Sequence, residues 1–371
     1  MKDSRIKELA EKLINYSVAL KKDEKVLIET IGFELPLTKE LIKEAYRIGA
    51  FPFVTTKNQE IIRLIFSGAS QEHISNTVKY EVERMRDMDA YIGLRCSPNM
   101  SEMSGLTSEQ LAAYTTGYIK PLHTDVRRGK RWVVLRYPND SMAQSANMAT
   151  EIFEDFYFDV CNLDYAKLSK AMDPLVEMIT NTDMVRITAK GTDISFSIKG
   201  MSAIKCDGSH NIPDGEVFTA PVIDSMNGHI TYNTPSMHEG FRHENTFFKV
   251  RDGRIIEASS NNPAKVNASL DTDKGSRYFG EFAFGVNPYI GSPILDTLFD
   301  EKIYGSIHLT PGSAYEECFN GNDSALHWDL VLIQRPEYGG GEIWFDGRLI
   351  SKDGRFIAGE LLPLNPENFR K

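Results

Sequence analysis

The sequence predicts a two-part α/β chain. An N-terminal α/β domain with a mostly parallel sheet is followed by a C-terminal mixed α+β domain rich in antiparallel strand. Three observations predict this. Short apolar runs alternate with stretches of helical periodicity through the first half. Near Thr182 the texture changes to short period-2 strands separated by Gly, Asn and Asp turns. The length, 371 residues, allows two or three domains at about 150 residues each.

The elements follow in order. Ile6, Leu9, Ala10, Leu13, Ile14 and Val18 recur at helical spacing, and Val26-Leu27-Ile28 then reads as a buried strand. Thr38 is placed to cap a second helix, with Leu41, Ile42, Ala45 and Tyr46 on one face and Gly49 as the stop. Phe51 to Val54 is a further apolar run, and helical stretches span 60–88. Ala90 to Gly93 and Trp132 to Leu135 read as further strands, with two long helices at 142–160 and 164–180. Beyond Met184 the pairs Asp252-Gly253, Asp346-Gly347 and Asp353-Gly354 signal hairpins. The domains are therefore placed at 1–181 and 182–371.

Composition narrows the function classes. Forty-two basic against fifty-two acidic residues give a net charge of −10, which disfavours nucleic acid and anionic membrane as main partners. No apolar run reaches the roughly 18 residues of a membrane span. Cys96, Cys161, Cys206 and Cys318 are widely spaced and form no CxxC pair. With no signal-peptide core at the N-terminus, a reducing, cytoplasmic home is expected. No GxxxxGK[ST] loop, strand-linked GxGxxG or GxSxG elbow is present, so nucleotide binding and serine hydrolysis have no support.

Six of the eight histidines lie after residue 200, which directs the search for chemistry to the second half. In Ser324-Ala-Leu-His327-Trp328-Asp329-Leu-Val-Leu-Ile333, read as a strand, His327 and Asp329 share a face. An imidazole and a carboxylate converging there suit a divalent metal. A half-exposed strand showing polar groups to water accounts for them slightly better. In Tyr304-Gly-Ser-Ile-His308-Leu-Thr-Pro-Gly312, His308 sits near a strand end; alone, it reads best as a core histidine bonded to backbone.

Glu281 stands in a strongly apolar strand, Arg277-Tyr-Phe-Gly-Glu281-Phe-Ala-Phe-Gly-Val-Asn287. A buried carboxylate is costly unless protonated, paired or bound to a cation, and Arg277 is the alternative partner. Glu216 follows a Pro-Asp-Gly turn at a strand start, where a solvated Glu is the commoner case. His238-Glu-Gly-Phe-Arg-His243 imitates the zinc-protease motif HExxH, but its i, i+5 spacing separates the imidazoles on a helix. Both histidines are read as surface or structural.

Taken together, GEVFTAP, RYFGEFAFGVNP, GSIHLTPGSAY and ALHWD resemble the thermophilic metallo-aminopeptidase family of aminopeptidase T, aminopeptidase S and PepS. The N-terminal segments LAEKLINYSVALKKDEKVLIET and AYRIGAFPFV fit as well. The resemblance covers most of the chain. It implies a binuclear metal site in the C-terminal domain, with metal ligands at Glu216, Glu281, His308, His327 and Asp329. It implies an active-site tyrosine at Tyr315. Pro311 departs from the expected pattern, and Glu301 is kept as a weaker candidate.

Three carboxylates and two imidazoles suit two divalent ions per chain: zinc, cobalt or manganese, with magnesium as a further candidate. Two such ions would activate a water for peptide hydrolysis. Glu281 would carry the proton to the leaving amine if one of its oxygens is free of metal, and Tyr315 would donate to the oxyanion. The expected function is a cytoplasmic metal-dependent aminopeptidase on short peptides, and the resemblance implies a homodimer. Two rivals stand beside it: a binuclear amidohydrolase on a non-peptide amide, and an inactive peptide-binding relative.

Overall fold

The computed structural model describes residues 3–32, 35–99 and 101–370. Backbone contacts group the chain into two compact units, Met1–Leu163 with Gly208–Pro213, and Asp164–Asp207 with Asp214–Lys371. The helix Tyr165–Thr180 thus groups with the second unit, one helix ahead of the boundary expected after residue 181.

The first unit is built on a five-stranded sheet in the order Phe51–Lys57, Lys25–Gly32, Ala90–Cys96, Arg131–Arg136, Asn211–Ile212. Every neighbouring pair is parallel. Val26, Leu27 and Ile28, on the strand beside the central Ala90–Cys96, are buried, as continuous apolar strands covered on both faces require. Phe51–Lys57 forms an edge, which leaves Phe51 and Phe53 exposed.

Two local readings are corrected. Thr38 is buried inside the helix Leu35–Arg47, not at its cap. The helix expected over 142–160 is two helices, Asp140–Ser145 and Thr150–Cys161. Asn147 between them has φ +54°, a left-handed conformation that ends the first helix.

A charged group is buried in this unit. Glu29 is 1% exposed and accepts from Lys57 Nζ and Tyr91 Oη, each at 2.8 Å. Arg95 Nη1 lies 3.4 Å and His123 Nε2 3.9 Å from its Oε1.

The second unit holds an eight-stranded antiparallel sheet and a five-stranded antiparallel sheet. The three Asp-Gly pairs each close a hairpin of the larger sheet, with positive φ at both residues as a type I′ turn demands. Phe196 and Phe345 of that sheet meet Phe282 and Phe284 of the smaller one, at ring separations of 5.1 and 6.0 Å. The smaller sheet runs in the order Val331–Ile333, Ser306–Pro311, Phe279–Gly285, Glu216–Thr219, Ile204–Cys206. No helix among the described residues is long and apolar enough to cross a membrane.

Candidate metal centre

Strand register brings the candidate residues together. Ala283 faces His308, Glu281 faces Thr310, and Gly285 faces Glu216. Residues directly opposite, and those two apart, share one face of a sheet. Glu216, Glu281 and His308 therefore project from the same face of three adjacent strands. All three are buried.

His327 and Asp329 arrive differently. The regular strand expected over 324–333 is only Val331–Ile333. His327 makes an isolated bridge to Gly312. Gly312 has φ +106°, and a Cβ there would meet the Leu326 carbonyl oxygen at 2.0 Å, so only glycine lets the two segments close. The extended backbone still puts His327 Nε2 3.3 Å from Asp329 Oδ1. Trp328, on the opposite side, stacks on His238 at 4.4 Å and meets His243 edge-on at 4.8 Å. Those two histidines lie on a β-hairpin and serve as packing for the tryptophan.

The distances define two overlapping groups. Glu216, Glu281 and His308 offer ligand atoms within 4.8 Å of one another, as do Glu281, His327 and Asp329. Glu281 belongs to both. Its Oε1 is 3.2 Å from His308 Nε2 and its Oε2 is 3.3 Å from His327 Nε2. Arg277, the alternative partner, instead pairs with Asp271 at 2.6 Å.

The hydrogen bonds indicate what this arrangement takes. His327 Nδ1 lies 2.9 Å from the Ser313 carbonyl oxygen and donates to it. In a neutral ring this leaves Nε2 as a lone pair against two carboxylates. Nε2 makes no hydrogen bond, and buried Glu216 Oε2 makes none. Thr310 Oγ1 donates to Asp329 Oδ1 at 2.7 Å and orients that carboxylate. Apart from the His308–Glu281 hydrogen bond at 3.2 Å and the Thr310 hydroxyl, these converging acceptors call for protons or cations. A mixed O/N set of this kind fits divalent zinc, cobalt or manganese.

The electrostatics agree. Burial alone would lower His308, but the hydrogen bond and charge of Glu281, with Glu216 and Asp329, hold it up at about 9. Burial works against His327 as well, and Asp329 and Glu281 outweigh it, so its pKa is raised. Burial would raise Glu281 and Asp329, but the imidazoles hold both carboxylates down. The site stabilises positive charge at both histidines, a demand that a metal ion satisfies while releasing their protons.

Three neighbours were not singled out by the sequence reading. Lys302 is fully buried; its Nζ contacts Glu301 Oε1 and lies 3.7 Å from Glu216 Oε1 and 4.0 Å from Asp214 Oδ1. Cys206, Asp214 and Glu216 form a third close group, and the Lys302 ammonium interacts with all three. The only signal in the sequence was a lysine directly after Glu301. Burial raises Glu301 well above the usual carboxylate range, with Lys302 opposing and Glu216 and Asp329 adding to it.

Tyr315 packs its ring 4.7 Å from His327 and 5.4 Å from Phe218, so Pro311 does not keep it away. Partial burial, with the residue still 38% exposed, then the charges of Glu281 and Asp329, raise its pKa and keep the phenol a donor.

Comparison with known proteins adds four findings. A family model described as thermophilic metalloprotease (M29) matches residues 2–355. Aminopeptidase AmpS of Bacillus subtilis (strain 168) is 24% identical, over 88% of each chain. Aminopeptidase PepS of Streptococcus thermophilus is 25% identical over 79% of this chain and 83% of its own. The solved structure of wild-type AmpT from Thermus thermophilus superposes with a TM-score of 0.78 at 20% identity, covering 96% of this chain and 99% of that one. The last likeness establishes the fold: a parallel sheet in the N-terminal part and antiparallel sheets in the C-terminal part.

Proposed function

Because the chain belongs to the thermophilic metalloprotease family M29, we propose that it is a metal-dependent aminopeptidase that removes N-terminal residues from short peptides. The observation that carries the reading is the position of Glu281, one carboxylate shared between two three-ligand groups.

Glu216, Glu281 and His308 would hold one divalent ion, and Glu281, His327 and Asp329 a second. Bound there, the ion pair would polarise the scissile carbonyl and make an attacking water acidic enough to act at neutral pH. The chain's own residues do the rest. Ser313 and Thr310 fix the orientations of His327 and Asp329. Lys302 holds Glu216 from the side opposite His308. Tyr315, kept protonated, donates to the oxyanion that forms at the carbonyl. Both oxygens of Glu281 face imidazoles, so we assign it first to holding the ions; a proton passes through it only when one oxygen is released. Zinc, cobalt or manganese suits the donor set. A cytoplasmic homodimer completes the reading, supported by four cysteines that form no disulfide and by the family resemblance.

The test is a panel of aminoacyl anilides and dipeptides, each with a free or an acetylated α-amine, assayed with and without added metal. Metal-dependent cleavage of the free forms only is expected. An acetyl cap removes a charge and a donor, and leaving the partner unpaired costs about 1–3 kcal/mol, so kcat/KM falls at least about tenfold. Equal cleavage of both forms would favour an amidohydrolase, and no cleavage an inactive relative.

A further inference from the structure

A third cation position adjoins the two ligand groups, and a lysine fills it. Cys206, Asp214 and Glu216 offer one sulfur and two carboxylate oxygens within 4.8 Å of one another. Those three donors would suit a divalent ion by themselves. Lys302 Nζ stands against them, 3.7 Å from Glu216 Oε1 and 4.0 Å from Asp214 Oδ1. It also contacts Glu301 Oε1. The lysine side chain is fully buried, so its charge is balanced by these carboxylates and not by solvent.

The backbone seats this lysine from two sides. Cys206 pairs with Glu216, and Glu216 with Gly285, so the three form a row across adjacent strands. A Cβ on Gly285 would meet the Ile303 carbonyl oxygen at 2.3 Å and the Lys302 carbonyl carbon at 2.9 Å. Only glycine there lets the 302–303 backbone lie against the row. Asn287, itself buried, then ties both partners. Its amide donates to the Lys302 carbonyl at 3.0 Å, and its side-chain Nδ2 donates to the Asp214 carbonyl at 2.7 Å. The flexible lysine stem is thus anchored at its root, beside the carboxylates it faces.

The consequence falls on Glu216. Its Oε1 faces Lys302 and its Oε2 faces His308, each at 3.7 Å. An oxygen turned to an ammonium is closed to a metal cation by like-charge repulsion. Glu216 therefore has one oxygen left for the ion it shares with Glu281 and His308. Without the lysine's charge, its other oxygen would join Asp214 and Cys206 as an open ligand set. A thiolate in that set would favour soft divalent ions over the harder manganese.

We propose that Lys302 is an internal cation that holds the centre to two ions: it occupies the position a third, thiophilic ion would take and keeps Cys206 out of the ligand set. The proposal rests on the two-ion aminopeptidase reading and deepens it. Lys302 determines which metals the centre takes and how many. It touches no peptide.

Elemental analysis after equilibration with excess zinc counts ions per chain. Cobalt(II) adds a spectroscopic readout, because a thiolate ligand gives it a strong charge-transfer band that oxygen and nitrogen ligands do not. The native protein should hold two ions and show no thiolate band at any cobalt excess. Lys302→Met and Lys302→Gln, checked for folding by thermal melt, should each hold one ion more and show the band. Adding Cys206→Ser to either should remove both. The extra position should bind cadmium at least tenfold tighter than manganese. Cys206→Ser alone is a mild change and should leave the native count and kcat/KM unaltered. A thiolate band in the native protein, or an ion lost in Cys206→Ser, would overturn the proposal whether or not the lysine variants fold. So would a count at or below the native one in a folded lysine variant. Failure of the aminopeptidase reading looks different: the extra ion appears in Lys302→Met, yet the native protein cleaves no peptide.

Discussion

Ser313 and His327 share a hydrogen bond that decides the chemistry of the site: the imidazole Nδ1 lies 2.9 Å from the Ser313 carbonyl oxygen. A carbonyl only accepts, so Nδ1 carries a hydrogen. When the ring is neutral, Nε2 is the lone pair, 3.3 Å from both Glu281 and Asp329. The backbone has thus chosen the tautomer that ligates.

Metal removal should therefore do more than stop catalysis. Chelation should abolish activity and lower the melting temperature, because the convergent carboxylates lose their counter-charge. Zinc, cobalt or manganese at about 100-fold over Kd should restore about 2.7 kcal/mol of stability along with activity. Elemental analysis beside calorimetry checks this. Full activity in a verified metal-free preparation would sink the reading.

His327→Ala and Asp329→Ala should each lower metal content while the fold stays largely intact, since neither sits in the apolar core. His238→Ala and His243→Ala should keep normal metal. Their cost is stability, because both rings pack on Trp328. The reverse pattern would mean that the HExxH-like segment binds the ion after all.

Glu281→Gln should lose metal from both positions and reduce kcat by about 10²–10⁴-fold or more. Retained metal with lost kcat would instead make Glu281 chiefly the proton carrier. Tyr315→Phe should cost less than about 10²-fold in kcat, since one donor beside two cations is partly redundant. Single-turnover rates at known metal occupancy separate these cases.

The N-terminal unit should show its own pH dependence. Burial holds His123 down at about 4, with Glu29 pulling upward and Arg95 and Arg127 pushing down. In the unfolded chain its pKa is about 6.5. Between those values the unfolded state binds the extra proton, so stability falls as pH drops through the window and is level above it. The full loss is on the order of 3 kcal/mol. Urea midpoints at pH 7 and pH 5 measure the upper part, and His123→Phe should flatten it. An unchanged slope in that variant would assign the effect elsewhere.

Much of the architecture was legible in local pattern. Val26 to Ile28 and the Ala90 strand announced a buried parallel sheet through continuous apolar runs. Asp252-Gly253, Asp346-Gly347 and Asp353-Gly354 announced hairpins through residues that tolerate positive φ. Thr38 misled because a capping residue type inside a helix looks the same in sequence as one at its end. The break at Asn147 was missed because helical periodicity on both sides continues through it.

The sequence by itself determined which residues were available: Glu281 in an apolar strand, a His-x-Asp pair, and motifs in one family's order. Only the tertiary structure decided that Glu281 stands between two imidazoles, that Ser313 selects the His327 tautomer, and that Lys302 lies beneath Glu216. Each of these is a contact between segments 14 to 86 residues apart. Spacing along a strand fixes which side chains share a face. Which faces meet is set by strand register and by the close approach at Gly312, and no local pattern encodes either one.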